Sequence, residues 1–446
     1  MFGTENFPYA EEILAQMSAL RKKRTDMEYA IPSKRNLPQP VWVQRGLRDS
    51  GPMAWNAVKN EIESEGVEKP FCIYLHVPFC TTHCQFCDCY AFALRKNIDE
   101  NLSKYCDAMR REINHWASIE KLALRPVSTV HFGGGTPLLL GKQYFPLVLQ
   151  QLYDSFMITN KTELAIESTS SSLNDESFEL LHSFGFRRLH LGVQSLNNAI
   201  RQKIGRREDA RSVVKKIQKA ISLDWIISVD IIVGLPGQTV QGIMSDLNTL
   251  IDIGVEGFSI YELQKSNQNR RFCNMHCGFY ENVEMRYLLF QIAFQHLLSN
   301  GFSMNVFNHL AKGRDKNLYF TFPERNEDLL ALGTIADGVF GEYHYRHPTY
   351  LSYINQVSEG NPGLQGGIRK NTIERLLHPL EIEIMSGCID KDIFMEKLGY
   401  KRADQLFENW IEKKIIMPAY QDKNYLLTPN GAWFIGKMLE EIQKGD

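Results

Sequence analysis

From Phe71 onward, short apolar runs alternate with longer amphipathic stretches, and this alternation restricts the fold more than any other feature of the chain. A run of four to eight apolar residues fits a strand buried on both faces, and a 3.6-residue periodicity after it fits a helix covering that strand. Strands are expected at 72–77, 127–132, 163–167, 188–192, 226–233 and 257–261, with helices at 100–118, 143–156, 175–184, 210–223 and 240–253. Repeated β/α units build a parallel sheet whose ligands gather at the C-terminal strand ends. Six units fall short of the eight in a closed TIM barrel. The predicted class is therefore α/β: a partial (β/α)6 TIM-like barrel, open on one side to admit a large substrate.

Residues 1–70 are polar and irregular, with Pro32, Pro38, Pro40 and Pro52, and are expected to form an N-terminal arm around a barrel at 71–370. After about residue 371 the alternation stops. Helices at 373–385, 393–398 and 403–413, a hairpin through 425–427 and a last helix at 431–443 suggest a small C-terminal helical, winged-helix-like domain over 371–446. It reads as a lid on the barrel, since no basic face marks it for DNA. The 446 residues exceed the ~250–300 at which one core stops growing, which fits two domains. With 43% hydrophobic and 23% charged residues the chain is ordinary globular material. Its net charge of −2 gives no reason to expect nucleic acid or an anionic membrane. There is no apolar run of ~18 residues, and the first 17 positions include Glu5, Glu11 and Glu12 rather than a leader's apolar stretch. A cytoplasmic monomer acting on a small molecule is expected.

Four of the nine cysteines, Cys80, Cys84, Cys87 and Cys89, crowd into ten residues. In a reducing compartment such clustering reads as metal chemistry. Thiolates ligate iron–sulfur clusters, and a [4Fe–4S] cube normally takes four. Three on one tight loop, at C-x3-C-x2-C spacing, leave one iron open to the amino and carboxylate groups of S-adenosylmethionine (SAM). An electron from the cluster then cleaves the sulfonium C–S bond to give a 5′-deoxyadenosyl radical. Structural zinc would want a distant Cys/His pair that is not evident. Cys89 is open to two readings, a strained fourth ligand or a bystander. Phe86 can stack on adenine or simply pack.

Further along, Gly133 to Gly135 follow a strand, where side-chain-free backbone lets N–H groups meet a carboxylate closely. Glu167, Gln194, Arg206 and Asp230 lie at or just beyond strand ends. Burying such groups unpaired is costly, so they either pair with one another, Glu167 with Arg206 for example, or meet a polar ligand.

The string Tyr74-Leu-His-Val-Pro-Phe-Cys80-x3-Cys84-x-Phe-Cys87-x-Cys89 resembles the radical SAM superfamily, and within it the oxygen-independent coproporphyrinogen oxidase (HemN-like) branch. Gly133-Gly-Gly-Thr-Pro137, Gly192-Val-Gln-Ser195, Gly205-Arg206, Asp230-Ile-Ile-Val-Gly-Leu-Pro-Gly-Gln-Thr239 and Ser259-Ile-Tyr261 are similar to its successive barrel motifs. The resemblance implies that Cys80, Cys84 and Cys87 hold the cluster, and that Gly134, Gly135 and Thr136 receive the amino-acid end of SAM. It further implies that Tyr74, Glu167, Gln194, Arg206 and Asp230 contact that SAM, with Phe86 and Gly135 close to a second one. An electron donor such as flavodoxin or ferredoxin is implied as a partner.

Within the branch, propionate decarboxylation, haem carriage and radical methylation compete. Arg21, Lys22, Lys23, Arg24, Lys34, Arg35 and Arg45 form a basic run that can hold propionates or simply face solvent. Cys87-Asp-Cys89-Tyr-Ala-Phe92 and Ala336-Asp-Gly-Val-Phe-Gly-Glu-Tyr-His-Tyr-Arg-His-Pro348 look closer to HemN-like methyltransferases and cyclopropanases. That resemblance implies a second SAM as one-carbon donor to an sp2 carbon, possible help from a partner methyltransferase, and a base. Tyr343, Tyr345, His309 and His347 are the candidates for the base. Cys273 and Cys277, with His276 between them, follow the last strand and lack further ligands for a second metal site.

Overall fold

The computed structural model describes residues 41–419 and 423–444, together with Ile13, Met17 and Pro38. The basic run from Arg21 to Arg35 lies outside the described residues. Six parallel strands stand where the apolar runs place them: β1 (Phe71–Val77), β2 (Val127–Gly134), β3 (Glu163–Thr169), β4 (Arg188–Gln194), β5 (Ile226–Val233) and β6 (Gly257–Glu262), each paired with the next. The intervening helices are α2 (Ile98–Ala117), α3 (Gly141–Ser155), α4 (Asp175–Ser183), α5 (Ala210–Ser222) and α6 (Val240–Asp252); α1 (Gly51–Ser64) precedes β1. Their starts are set by local chemistry. Asn174 and Ser177 form a capping box on α4, and the side chains of Asp209 and Thr239 accept from the first turns of α5 and α6, each worth about 1 kcal/mol.

The parallel run is one strand longer than the six units of the expected barrel. After β6 come the antiparallel β7 (Ser303–Val306) and β8 (His309–Ala311), and then β9 (Asp328–Leu332), which returns to lie parallel on the free edge of β1. Beyond β9 the sheet continues antiparallel through β10 (Asp337–Phe340), β11 (Tyr343–Arg346), β12 (Gly366–Arg369) and the pair Asp49–Ser50. The 13 strands have two distinct edges, so the barrel is open. Residues 49–64 are thus built into one end of the sheet.

The segment between β8 and β9 folds into the barrel interior. Asp315 accepts from Ser228 Oγ at 2.7 Å and from Arg188, and meets His309 Nε2 at 3.0 Å. Tyr319 stacks on both Tyr74 and His131, with centroids 5.0 and 4.4 Å away. Asp315 is fully enclosed, and its carboxyl, pushed up by burial, is driven well below the usual range by Arg188 and His309. Asp315→Ala should leave Arg188 charged and unpaired in the interior. A loss of about 3–5 kcal/mol in urea unfolding is expected; a loss below about 1 kcal/mol would show that the network is not a structural tie.

At the C-terminal end, α7 (Val283–Ser299) is followed beyond the sheet by α8 (Thr372–Ser386), α9 (Lys391–Leu398) and α10 (Tyr400–Glu412). A three-stranded sheet of Cys388–Asp390, Asn424–Leu427 and Ile416–Pro418 completes the winged-helix-like part. It rests on α7, where Tyr287 OH donates to Asn430 Oδ1 at 2.8 Å and Gln291 Nε2 to the Pro429 carbonyl at 2.9 Å. The single last helix expected at 431–443 is two pieces, Pro429–Trp433 and Ile435–Gln443. No helix among the described residues is long and apolar enough to cross a membrane.

Candidate active site at the C-terminal strand ends

β1 runs through Pro78 straight into the cysteine loop, and the loop is tied down at each stage. Phe79–Cys80 pairs with Phe92–Ala93, and Leu94 N donates to the Cys80 carbonyl at 3.0 Å. Cys87 N donates to the Cys84 carbonyl at 3.2 Å and Gln85 N to the Ile204 carbonyl at 3.1 Å; Asn269 Nδ2 donates to the Phe86 carbonyl at 2.8 Å. Thr136 Oγ1 lies 3.7 Å from Cys80 Sγ. Burial pushes the Cys80 and Cys84 thiols up, with Thr136 and Arg206 respectively opposing it. Cys87 is lowered to about 7, chiefly by the hydrogen bond from Cys89. Among the described residues no three Cys, His, Asp or Glu side chains converge on one ion position. A cube asks for something else, because each thiolate takes its own iron.

The glycines beside the loop leave no room for a side chain. A Cβ on Gly135 would sit 2.5 Å from the Phe79 carbonyl oxygen, and one on Gly133 would sit 2.7 Å from the Tyr74 ring and 2.9 Å from the Glu167 carboxyl. Glu167 takes Gly134 N at 3.1 Å and His131 Nε2 at 3.0 Å. Burial raises its carboxyl, but these two bonds prevail and its pKa is lowered. Its partner is thus His131, and the alternative pairing with Arg206 is not formed. Arg206 instead lies over the Phe86 ring at 5.7 Å, its Nε buried without a partner.

Gln194 is held in the left-handed region at φ 67°, a strained setting for a residue with a side chain. Arg201 enforces it by donating to the carbonyls of Val193 and Ser195, both at 3.0 Å. Gln194 Oε1 and Asp230 Oδ1 are likewise buried without a hydrogen bond, the latter 3.6 Å from His190 Nε2. Burial, and then the charge of Glu167, raise Asp230 to about 7. Three orphaned polar atoms, a glycine cradle and three thiols on one clamped loop suit a zwitterionic cofactor beside a cluster, since buried polar groups rarely stay unpaired.

The folded protein keeps a proton on Asp230 between about pH 4 and 7 that the unfolded chain has already lost. Stability from this group therefore falls as pH rises through that window. Asp230→Asn should stabilise the ligand-free protein by about 1–3 kcal/mol at pH 8 and by nothing near pH 3.5, while SAM binding is lost. Urea unfolding at the two pH values, with SAM binding by equilibrium dialysis, checks both.

The base candidates lie elsewhere. Tyr343 donates to Asp49 Oδ2 at 2.6 Å, and Tyr345 packs on Trp116 with its hydroxyl on Ala331; both sit in β11 on the face covered by helices. His347 binds Glu112 Oε1 at 2.6 Å in the same layer. His309 does face the interior, but below the strand ends, between Ser259 Oγ (2.9 Å) and Asp315. Sequence reading missed His131, His190 and Tyr261. His190 Nε2 stands 3.6 Å from Asp230, and Tyr261 keeps 38% of its surface open despite its inward position. Their signal was the inward half of each strand's two-residue repeat. Cys273 is buried against Asn269 and Cys277 is exposed, so the two do not form a joint site.

Residues 74–250 match the model of the Radical SAM superfamily. The chain thus carries a radical SAM domain, of the kind that uses a [4Fe–4S] cluster and SAM. Its relatives are of the HemN-like branch. It is 28% identical over 298 residues to an anaerobilin synthase of Escherichia coli O157:H7, covering 66% of each chain. It is 25% identical over 357 residues to an oxygen-independent coproporphyrinogen III oxidase of Salmonella typhimurium, covering 76% of this chain and 73% of that one. Haem chaperones are also among its relatives. The solved structure of coproporphyrinogen III oxidase (HemN) from Escherichia coli superposes with a TM-score of 0.73 at 20% identity, over 92% of this chain and 100% of that one. The chain spans about two thirds to three quarters of the length of the named relatives.

Proposed function

We propose that this radical SAM enzyme uses a second SAM to place a one-carbon unit on an sp2 carbon of an unsaturated small molecule, as a methyl or a cyclopropane. Cys80, Cys84 and Cys87 would hold the cluster, and Tyr74, Gly134, Gly135, Thr136, Glu167, Gln194, Arg206 and Asp230 the SAM beside it. When bound, these two groups supply one-electron cleavage of the sulfonium C–S bond. The chain's own residues would orient the cofactor: Glu167 and Asp230 would accept hydrogen bonds from its polar groups, and Phe86 would offer an aromatic face.

The observation that carries the reading is the lining of the interior. Strands β1 to β6 contribute one Arg or Lys, Arg188, and it is committed to Asp315 and Ser228. The other polar side chains that these strands turn inward are imidazoles, phenols, carboxylates, hydroxyls such as Thr129, Ser228 and Ser259, and the Gln194 amide. Such a lining suits an uncharged unsaturated substrate and offers little to a molecule bearing several carboxylates.

The second reading is tetrapyrrole chemistry or carriage, favoured by relatives named for coproporphyrinogen and haem. One anaerobic experiment separates the readings. With dithionite and SAM, appearance of both 5′-deoxyadenosine and S-adenosylhomocysteine supports one-carbon transfer. Deoxyadenosine alone points to oxidation, and neither product points to a carrier.

A further inference from the structure

The N-terminal mouth of the barrel is filled by the chain between β8 and β9. This segment enters where Lys312 N donates to the Glu256 carbonyl at 2.9 Å and Arg314 pairs with Glu256 and Asp224, residues that stand just ahead of β6 and β5. Asp315 fixes its first half through Arg188, Ser228 and His309. Arg325 fixes its second half, donating to the Leu318 carbonyl at 2.7 Å and to Thr321 Oγ1 at 2.6 Å. Between those two clamped positions stand Tyr319 and Phe320.

The two rings differ in what covers them. Tyr319 is covered by its stacking on Tyr74 and His131. Phe320 lies beside His131, His190 and Tyr319, with centroids 6.1, 6.1 and 4.6 Å away, yet 39% of its surface is open. Both imidazoles are buried and turned inward, so the open part of the ring faces the lumen. Tyr261 leaves 38% of its surface open there as well. The Nδ1 atoms of His131 and His190 are buried without a hydrogen bond. Buried polar groups are ordinarily paired, and small-molecule pockets combine aromatic walls with a few polar groups. An uncovered ring beside two unsatisfied imidazole nitrogens therefore marks space for a ligand. The space borders the cofactor residues, since His131 bonds Glu167 and His190 Nε2 stands 3.6 Å from Asp230.

We propose that Phe320 is the floor of the substrate chamber and sets its depth for a flat, uncharged aromatic molecule lying on the ring, with a polar edge toward His131 or His190. The inference rests on the one-carbon transfer reading and names its substrate class. Aromatic faces attract one another beyond what area burial provides. Among the described residues, the inner faces of β1 to β6 carry no Arg or Lys besides Arg188, which is taken by Asp315, so a polycarboxylate finds no counter-charge beside this floor. An aliphatic chain would cover the ring but leave both imidazole nitrogens unsatisfied.

The test uses the full chain, with indole and acridine as probes, the second being one ring larger than the first. Equilibrium dialysis is done on cluster-free protein and on cluster-loaded protein with and without saturating SAM. Phe320→Ala and Phe320→Leu are each expected to weaken indole binding on the order of tenfold, while Phe320→Tyr, which keeps the ring, should stay within about twofold. Phe320→Ala deepens the chamber, and its preference for acridine over indole should rise on the order of tenfold. Leu351→Ala, which removes an exposed apolar side chain from the helix Tyr350–Ser358, should change neither probe.

A side chain that merely packs would lower the urea midpoint when removed and leave the ratio of the two probes where it was; that result overturns the proposal. So do absence of indole binding to the wild type, unchanged indole affinity in Phe320→Leu, and equal weakening by Leu351→Ala. Displacement of indole by SAM would give the floor to the cofactor and overturn it too. Should Phe320→Ala fail to fold, Phe320→Leu and Phe320→Tyr decide. If the wild type with dithionite makes no S-adenosylhomocysteine, the functional reading fails, and probe binding to cluster-free protein still judges the floor.

Discussion

Cys84→Ala is expected to abolish both the iron–sulfur absorption and all 5′-deoxyadenosine formation in anaerobically reconstituted protein. With the sulfur of Cys84 gone, the loop offers Cys80, Cys87 and Cys89, and the last two are only two residues apart and already engaged with each other. A cube cannot take its third thiolate from that pair without breaking the bonds from Leu94 and Asn269 that fix the loop. Activity should fall by at least about 10⁴-fold, because cleavage has no substitute electron source. Cys80→Ala and Cys87→Ala should behave alike. Cys89→Ala is the informative contrast, expected to keep close to four irons per chain. If Cys89→Ala loses its iron while Cys84→Ala keeps it, the three-ligand assignment is wrong.

Gly135→Ala, the smallest change available, is expected to be nearly as severe. The added methyl would meet the carbonyl oxygen, carbonyl carbon and nitrogen of Phe79 at 2.5, 2.9 and 3.0 Å. These are backbone atoms at the start of the cysteine loop, and Gly135 N is itself bonded to the Val77 carbonyl at 2.7 Å. Neither side can yield by rotating a side chain, so the loop must move away from the glycine turn. A displacement of the order of 1 Å can cost about 100-fold in rate. SAM affinity should weaken by on the order of tenfold or more, while overall unfolding shifts by only about 1–3 kcal/mol. Calorimetric SAM binding on cluster-loaded protein would check this; affinity within twofold of the wild type would sink the cradle assignment.

Much of the barrel was legible because buried parallel strands and their covering helices leave two distinct periodicities. Strand β5 was bounded to the residue, and α4, α5 and α6 began where their caps stand. The other strands were read one or two residues short at a terminus, most often the C-terminal one. Their last positions include Gly133 and Gly134, Ser168 and Thr169, and Gln194, which break the apolar run at the strand ends. Two elements escaped for opposite reasons. β9 is a five-residue stretch, DLLAL, that nothing local distinguishes from a turn of helix. Helix α7 is buried on nearly every side and so carries no stripe to read. The cysteines were singled out by their spacing, and the glycine turn by its place after a strand together with the family resemblance. Tyr343 and Tyr345 were favoured for their chemistry, but alternation in β11 turns both toward the helices, where hydrogen bonds occupy their hydroxyls.

The neighbour of β1 on its outer side is β9, whose five residues pair in register from Phe71 to Leu75. The strand that launches the cysteine loop is therefore completed by chain made some 250 positions later, well past the stretch 74–250 that defines the superfamily. During synthesis that border stays bare, and bare strand borders invite intermolecular pairing. Fragments trimmed to the superfamily segment should consequently aggregate. Slow, cool expression of the whole polypeptide is the condition under which iron can be loaded into a finished loop.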